Sequence, residues 1–396
     1  MFKNKITLKS FLRLTVLSVL FLFGLYFIPH NWCAREAVRI FHNKGDIQNR
    51  MAAQAEILVS NEIGRENFKT GSDLFNGEWL FGTYMMSGMG FGQMAVLCPD
   101  RKEEYCFAME KCIRQILSPA VREFDKQSWQ SDPVDSLNSD HDHAAYLGYF
   151  NLLLSLHRLL KGESEYSELN DRITVALARR LDKSPVLLLQ TYPGEYYPVD
   201  NCAAIASIGL YDKATGKDHS ELLERCVFRM KNDYTDKKTG LLYQCIDGSN
   251  GEPADLPRGS GTCLGLYFIS FMDAEFSKSL YLSVKRELRG GVLGFGGIKE
   301  YPSSCKGERG DIDSGPVIFG YGLSATGFAI AGTRIHGDSE MFRNLYATAY
   351  LCGAPHDADG KRNFVTGGHI GNSIMFAMMT ALSKDEFAKF CERSGK

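Results

Sequence analysis

From about residue 75 onward, the chain alternates between two kinds of helical segment. One kind, over 77–97, 143–160, 201–211, 259–271, 316–335 and 368–382, is rich in Gly, Ala and apolar residues on all faces. The other, over 102–117, 165–182, 218–231, 275–289, 338–351 and 384–393, carries one charged face. A helix that is apolar all round has to be buried, and an amphipathic one covers it. Six of each in strict alternation predict an inner ring wrapped by an outer ring, an all-α (α/α)6 barrel over 75–396. Strands enter only as short hairpin candidates near 241–246 and 292–300.

The links between these segments differ in length according to direction. Those from inner to outer helix are short: 98–101, 161–164, 213–217, 272–274 and Gly337. Those leading back to an inner helix are long: 118–142, 183–200, 232–258, 290–315 and 352–367. All the long loops therefore lie on one face, over the N-terminal ends of the inner helices. Long loops on a rigid scaffold are where binding and catalysis concentrate. These loops also hold the densest Asp, Glu, His and Tyr clusters of the chain.

The N-terminus follows a different rule. Leu14 to Ile28 is apolar apart from Thr15, Ser18 and Gly24, and Phe11 and Leu12 extend the run, long enough for a tilted transmembrane helix. Lys3, Lys5, Lys9 and Arg13 precede it, so residues 1–32 read as a cytoplasmic basic flank and membrane anchor. Residues 33–74 read as a helical lead-in, and the main domain is exported. A cleaved signal peptide is the rival, but no small-x-small site follows, and Trp32 suits an interfacial ring. Lys+Arg number 45 against 47 Asp+Glu, which supplies no basic face for nucleic acid. Eleven cysteines include no C-x-x-C pair, which excludes zinc-ribbon and thioredoxin-type motifs. The Gly-rich stretch 290–297 is not a phosphate loop. No cofactor and no metal is called for, and the oligomeric state is not specified.

Candidate site residues come from the long loops. Glu195 sits in an aromatic loop with Tyr192, Tyr196 and Tyr197, where ring packing predicts desolvation and the raised pKa of a general acid. Asp200, just before the helix entered at Asn201, is a candidate catalytic carboxylate or an N-cap. Asp311 and Asp313 lead into another inner helix, whose positive end favours ionised carboxylates suited to a base or nucleophile. Glu300 adds a further acid, and Arg258 reads either as an anion clamp or as a solvated loop charge. Asp140, His141 and Asp142 precede an inner helix, with His141 and His143 two residues apart. That spacing points the imidazoles in different directions and suits capping plus a substrate contact rather than a metal. His369 enters the last inner helix as a further substrate contact.

Two stretches carry a resemblance. Thr191 to Lys213 (TYPGEYYPVDNCAAIASIGLYDK) and Arg309 to Phe328 (RGDIDSGPVIFGYGLSATGF) resemble the signature regions of linalool dehydratase/isomerase-like proteins. Phe91-Gly92 and Gly148 to Leu152 extend the likeness to about 75–390. It implies a toroid of six helical hairpins, shared with many glycosidases. It also aligns an active-site Tyr with Tyr84 and an active-site His with Tyr149. The family's two active-site cysteines fall on Thr191 and Asp200, whereas Pro193, Tyr196 and Asn201 are kept. Carboxylates are thus expected in place of thiols. The expected function is cleavage of a C–O bond by carboxylate acid/base chemistry, either dehydration or isomerisation of an alcohol or hydrolysis of a glycosidic link. The alternative is a non-catalytic glycan- or lipid-binding toroid. A narrow apolar cavity lined by Tyr84, Met85, Met89 and Phe91 would point to an isoprenoid, an open groove with exposed rings to a sugar.

Overall fold

The computed structural model describes residues 8–61, 63–305, 310–312 and 314–394. Its helices are α1 (Leu8–Cys33), α2 (Ala37–Phe41), α3 (Ile47–Ser60), α4 (Asp73–Leu97), α5 (Lys102–Ile116), α6 (Pro119–Trp129), α7 (Ala144–Lys161) and α8 (Ser167–Lys183). They continue as α9 (Pro198–Thr215), α10 (Ser220–Asn232), α11 (Gly259–Ile269), α12 (Ala274–Glu287), α13 (Leu323–Ile335), α14 (Ser339–Gly353), α15 (Gly368–Thr380) and α16 (Lys384–Ser394). Three antiparallel hairpins decorate the loops: β1 (Arg289–Val292) with β2 (Phe295–Ile298), β3 (Val317–Ile318) with β4 (Tyr321–Gly322), and β5 (Pro355–Ala358) with β6 (Lys361–Phe364).

Helices α4, α7, α9, α11, α13 and α15 pack each against the next, and α15 closes back on α4. This is the inner ring of an (α/α)6 toroid. Small residues let the inner helices approach closely: a Cβ on Gly148 of α7 would stand 3.1 Å from the Cβ of Ala204 on α9. The ring is plugged towards its C-terminal ends. Gln93 of α4 donates to the Ala377 carbonyl of α15 at 2.9 Å and accepts from the Tyr267 hydroxyl of α11 at 3.1 Å, while Met89 and Phe91 are buried alongside.

The outer ring differs from the expected one in a single member. Helices α5, α8, α10, α12 and α14 cover inner neighbours as predicted, but the seam between α15 and α4 is covered by α3, from the predicted lead-in. Helix α16 instead contacts α4 and α7, and its Phe387 ring meets Phe271 and the Lys213 ammonium at the C-terminal ends of the inner helices. Buried Met51, Ala52, Ala55 and Val59 give α3 the apolar stripe that an outer helix needs. The long loop 118–142 also contains α6, packed on α4, α5 and α7.

Helix α1 is apolar and long enough to cross a membrane, and none of its most apolar window is buried by the protein. All eleven cysteines are free thiols.

Candidate active site

A cavity of about 1040 Å³ opens at the N-terminal ends of all six inner helices. Its wall includes Leu74 and Phe75 of α4, Ala145 of α7, Val199 and Asp200 of α9, Ser260 and Gly261 of α11, Leu323 and Ser324 of α13, and Ile370 and Gly371 of α15. The long-loop face is therefore the cavity face. The wall is mostly apolar, with Trp79, Phe81, Met85, Met86, Leu264, Phe328, Ile374 and Met375 below the rim. Glu78, Glu195 and Asp200 are the only charged residues on it among the described residues, and no Lys, Arg or His joins them.

Asp200 is the most constrained of the three. Pro198 opens α9, so Asp200 stands in the first turn rather than at the N-cap, which is Tyr197. Its carboxyl turns away from the helix axis. Oδ1 accepts from the Tyr149 hydroxyl at 2.5 Å and Oδ2 from the Thr191 hydroxyl at 2.6 Å. Burial raises its pKa above the ordinary carboxylate value, against the lowering effect of those two hydrogen bonds. Tyr149 is held in turn by edge-on contacts with Phe268 and Phe81 at 4.9 and 6.4 Å. Buried, hydrogen-bonded and free of a basic partner, Asp200 has the environment of a proton donor.

Glu195 has the opposite environment. Its loop folds back through the Tyr192–Glu195 bridge and leaves the side chain exposed, accepting from Tyr197 at 2.5 Å. The burial predicted from the surrounding rings is therefore absent: Tyr192 and Tyr196 pack on the core instead. Glu78 escapes the sequence reading altogether. It accepts from the Tyr192 hydroxyl at 2.8 Å, next in the chain to the Thr191 that serves Asp200. The signal was available: Glu78 is the only charged residue of α4 beyond Asp73. A lone charge on an otherwise apolar inner helix needs a cavity.

Several predicted residues lie elsewhere. Arg258, buried, donates from Nε to Glu300 at 2.7 Å and from its two terminal nitrogens to Asp311. Glu300, fully buried, also accepts from Ser260 at 2.5 Å. These three tie the loops together behind the cavity wall, so Arg258 is neither a free anion clamp nor a solvated charge, and Asp311 is an ion-pair partner half exposed outside the cavity lining. Asp313 lies outside the described residues. Asp140 pairs with Lys183 at the surface at 3.3 Å, and His141 packs on Trp129 and bonds Ser131 at 2.7 Å. Asp142 accepts from the Gln190 N–H at 2.9 Å, and burial raises its pKa. All three fasten the loop outside the cavity lining.

Tyr84 is buried, with its hydroxyl 3.5 Å from the Ile63 carbonyl; it faces the α3 side of α4 rather than the cavity. Met89 and Phe91 belong to the plug, and only Met85 of that set reaches the wall. Tyr196 packs over Gly248, and Asn201 brackets Leu189 by accepting from its N–H at 2.7 Å and donating to its carbonyl at 3.0 Å. His369 meets the Phe68 ring at 6.0 Å and is absent from the lining.

The sequence reading also passed over a buried pair. His143 Nδ1 lies 2.5 Å from Asp125 Oδ2, and its Nε2 lies 3.0 Å from Ser136 Oγ and 3.3 Å from Ser131 Oγ. The order Asp–His–Ser resembles a nucleophilic triad, but none of these residues lines the cavity. Both members of the pair are fully buried, and Ser136 Oγ is committed to the Asp132 carbonyl at 2.6 Å. The cluster is a loop brace.

No family model matches the chain. Among solved structures, the fold is similar to Dfg5 from Chaetomium thermophilum, solved in complex with glucosamine, with a TM-score of 0.52 and 12% identity over 85% of this chain and 92% of that one. It is also similar to a family 105 glycoside hydrolase of C. acetobutylicum, with a TM-score of 0.50 and 12% identity over 87% of this chain and all of that one, 100%. At such identity the likeness is one of fold: the chain is an (α/α)6 toroid.

Proposed function

We propose that the toroid is an enzyme that breaks the C–O bond of a lipophilic alcohol, by dehydration or isomerisation, with Asp200 as the acid. The observation that carries this reading is the cavity: large, mostly apolar-walled, with its three carboxyl groups, Glu78, Glu195 and Asp200, confined to α4, α9 and the loop leading into α9. A sugar would leave hydroxyls facing Met85, Met86, Leu264, Phe328 and Met375, each at the cost of an unmade hydrogen bond. An isoprenoid places one hydroxyl at Asp200 and buries its chain.

In the proposed step, protonated Asp200 gives its proton to the substrate hydroxyl and the C–O bond breaks, releasing water. The carbocation is faced by the rings of Phe81, Trp79 and Tyr149. Glu78 or Glu195, as carboxylate, removes a proton from the neighbouring carbon to leave an alkene. Return of water at another carbon gives the isomer instead. The resemblance to linalool dehydratase/isomerase-like proteins supports this assignment, since the positions of that family's two cysteines, Thr191 and Asp200, are hydrogen-bonded to each other here. Anchoring by residues 1–32 and export of the toroid belong to the same proposal.

The test is a substrate panel with full-length protein in detergent: prenyl alcohols of increasing length, and aryl glycosides beside them. Alkene or rearranged alcohol detected by gas chromatography supports the reading. Cleavage of a glycoside alone would replace it with hydrolysis, for which Glu195 and Asp200 on one wall supply two carboxyls. Binding of the alcohol without conversion would leave a lipid-binding toroid.

A further inference from the structure

The end of α1 is attached to the toroid close to the cavity rim. His30, in its last turn, bonds Asn344 of α14 at 3.2 Å and meets the Phe295 ring of β2 at 5.6 Å. Cys33 and Ala34 pack on Ala347 one turn further along α14. Arg35 stacks over the rings of Trp32 and Tyr350, at 4.4 and 4.8 Å, and donates to the Tyr350 hydroxyl at 2.6 Å. Two residues beyond Tyr350 stands Cys352, which lines the cavity. The end of α1 is thus within one helical turn of the rim.

An apolar fringe continues from that point. The β1–β2 turn carries exposed Val292 and Leu293, and Gly294 beside them touches His30. The β3–β4 hairpin packs against β1–β2 through Tyr321, whose ring covers Gly290 and Gly297, and its tip presents Ile318 and Phe319. Phe319 is 94% exposed, at a φ of 53° that a bulky residue adopts only under constraint. On the other side of the rim, Leu351 and Val365 are exposed next to the lining residues Cys352 and Thr366, which are joined by a hydrogen bond of 2.6 Å. Large exposed aliphatics grouped on hairpin tips mark a surface meant to be covered.

We propose that this rim is seated in the interface of the bilayer that α1 enters, with Val292, Leu293, Ile318, Phe319, Leu351 and Val365 dipping into it, so that the cavity takes its lipophilic substrate from the membrane rather than from water. The inference rests on the reading of the cavity as lipophilic and of α1 as a spanning helix. Continuity from the exposed face of α1 through Trp32 to the hairpin tips selects the bilayer as occupant. Aromatic and aliphatic side chains at a membrane surface bind in proportion to the apolar area they bury.

The test uses full-length protein reconstituted in phosphatidylcholine vesicles whose acyl chains are brominated, and reads tryptophan quenching without any turnover. Phe319→Trp adds one reporter at the rim; Val175→Trp adds one at an exposed position on α8, across the ring from α14. After subtraction of the wild-type signal, the Phe319→Trp reporter is expected to lose about twofold or more of its fluorescence on going from plain to brominated lipid, and the Val175→Trp reporter none. No quenching at Phe319→Trp, or equal quenching at both positions, overturns the proposal. Because no substrate is present, either result leaves the catalytic reading to be judged by its own panel.

Discussion

Replacing Asp125 by asparagine should change how the stability of the protein depends on pH, in a way that can be worked from the geometry. Ser136 Oγ donates to the Asp132 carbonyl, so it offers His143 Nε2 a lone pair, and Nε2 carries the hydrogen. Nδ1 is then the bare nitrogen, and the proton between it and Asp125 Oδ2 sits on the carboxyl. Burial drives both members the same way, raising Asp125 well above the carboxylate range and pushing His143 down to about 3. The folded pair therefore holds one proton over a wide range of pH.

The unfolded chain, with Asp near 3.9 and His near 6.5, holds two protons below about pH 4, one between about pH 4 and 6.5, and none above. This pair thus contributes a plateau from about pH 4 to 6.5. Above it the folded state binds the extra proton, and stability falls as pH rises, by about 1.4 kcal/mol per pH unit at most. In Asp125→Asn the new amide would donate to Nδ1 with the same shape and no titration, removing that slope. The variant's folded His143 still stays neutral, so it loses stability on acidification below about pH 6.5 instead. Above about pH 6.5 the variant should gain stability relative to wild type as pH rises, by at most about 1.4 kcal/mol per pH unit, for as long as Asp125 keeps its proton. Urea denaturation of the full-length protein in detergent at several pH values measures it. Parallel curves for the two proteins would refute the neutral-pair assignment.

Asp200→Asn should lower turnover by about 100-fold or more while leaving the melting temperature within a few degrees, because the amide still occupies the space between Thr191 and Tyr149. Wild-type activity should fall as pH rises through the raised pKa of Asp200, since only the protonated form donates. Gly327→Leu places a side chain where a Cβ meets no atom within 4 Å, on a helix facing the cavity; thermal stability should rise, by about 0.5–1 kcal/mol from helix propensity, while KM for a bulky alcohol increases. Arg258→Met should cost about 3–5 kcal/mol in denaturant titrations, since it strands the fully buried Glu300. A reporter fused to the C-terminus should be active only in an exported compartment; activity of a cytoplasm-only reporter there would contradict the topology.

The ring architecture was legible because it depends on pattern. Apolar-all-round against amphipathic faces sorts inner from outer helices whatever the detailed packing, and loop length then assigns the open face. What pattern could not decide was which amphipathic helix fills a given place. Helices α3 and α16 both carry an apolar stripe, and only tertiary packing assigns α3 to the outer ring and α16 to the ring floor. At the site, residue type pointed to Asp200, which lies on the cavity wall, but did not foretell the surroundings of its neighbours. Glu195 has the aromatic surroundings of a buried acid in sequence and none of the burial in space, because the Tyr192–Glu195 turn leaves it exposed at the cavity mouth. Asp311 and Glu300 gathered on Arg258, a pairing across 53 and 42 residues that no local rule contains. Glu78 was missed although its isolation on an apolar helix was visible.

The central claim, that a buried acid breaks a C–O bond in an apolar cavity, is tested most directly by isotope exchange. A tertiary allylic prenyl alcohol incubated with the full-length protein in water carrying heavy oxygen should acquire that oxygen at its hydroxyl, because each cleavage and return of water replaces the original atom. Wild type should label the alcohol and Asp200→Asn should not; an alcohol left unlabelled by wild type, or labelled equally by the two, would contradict the account.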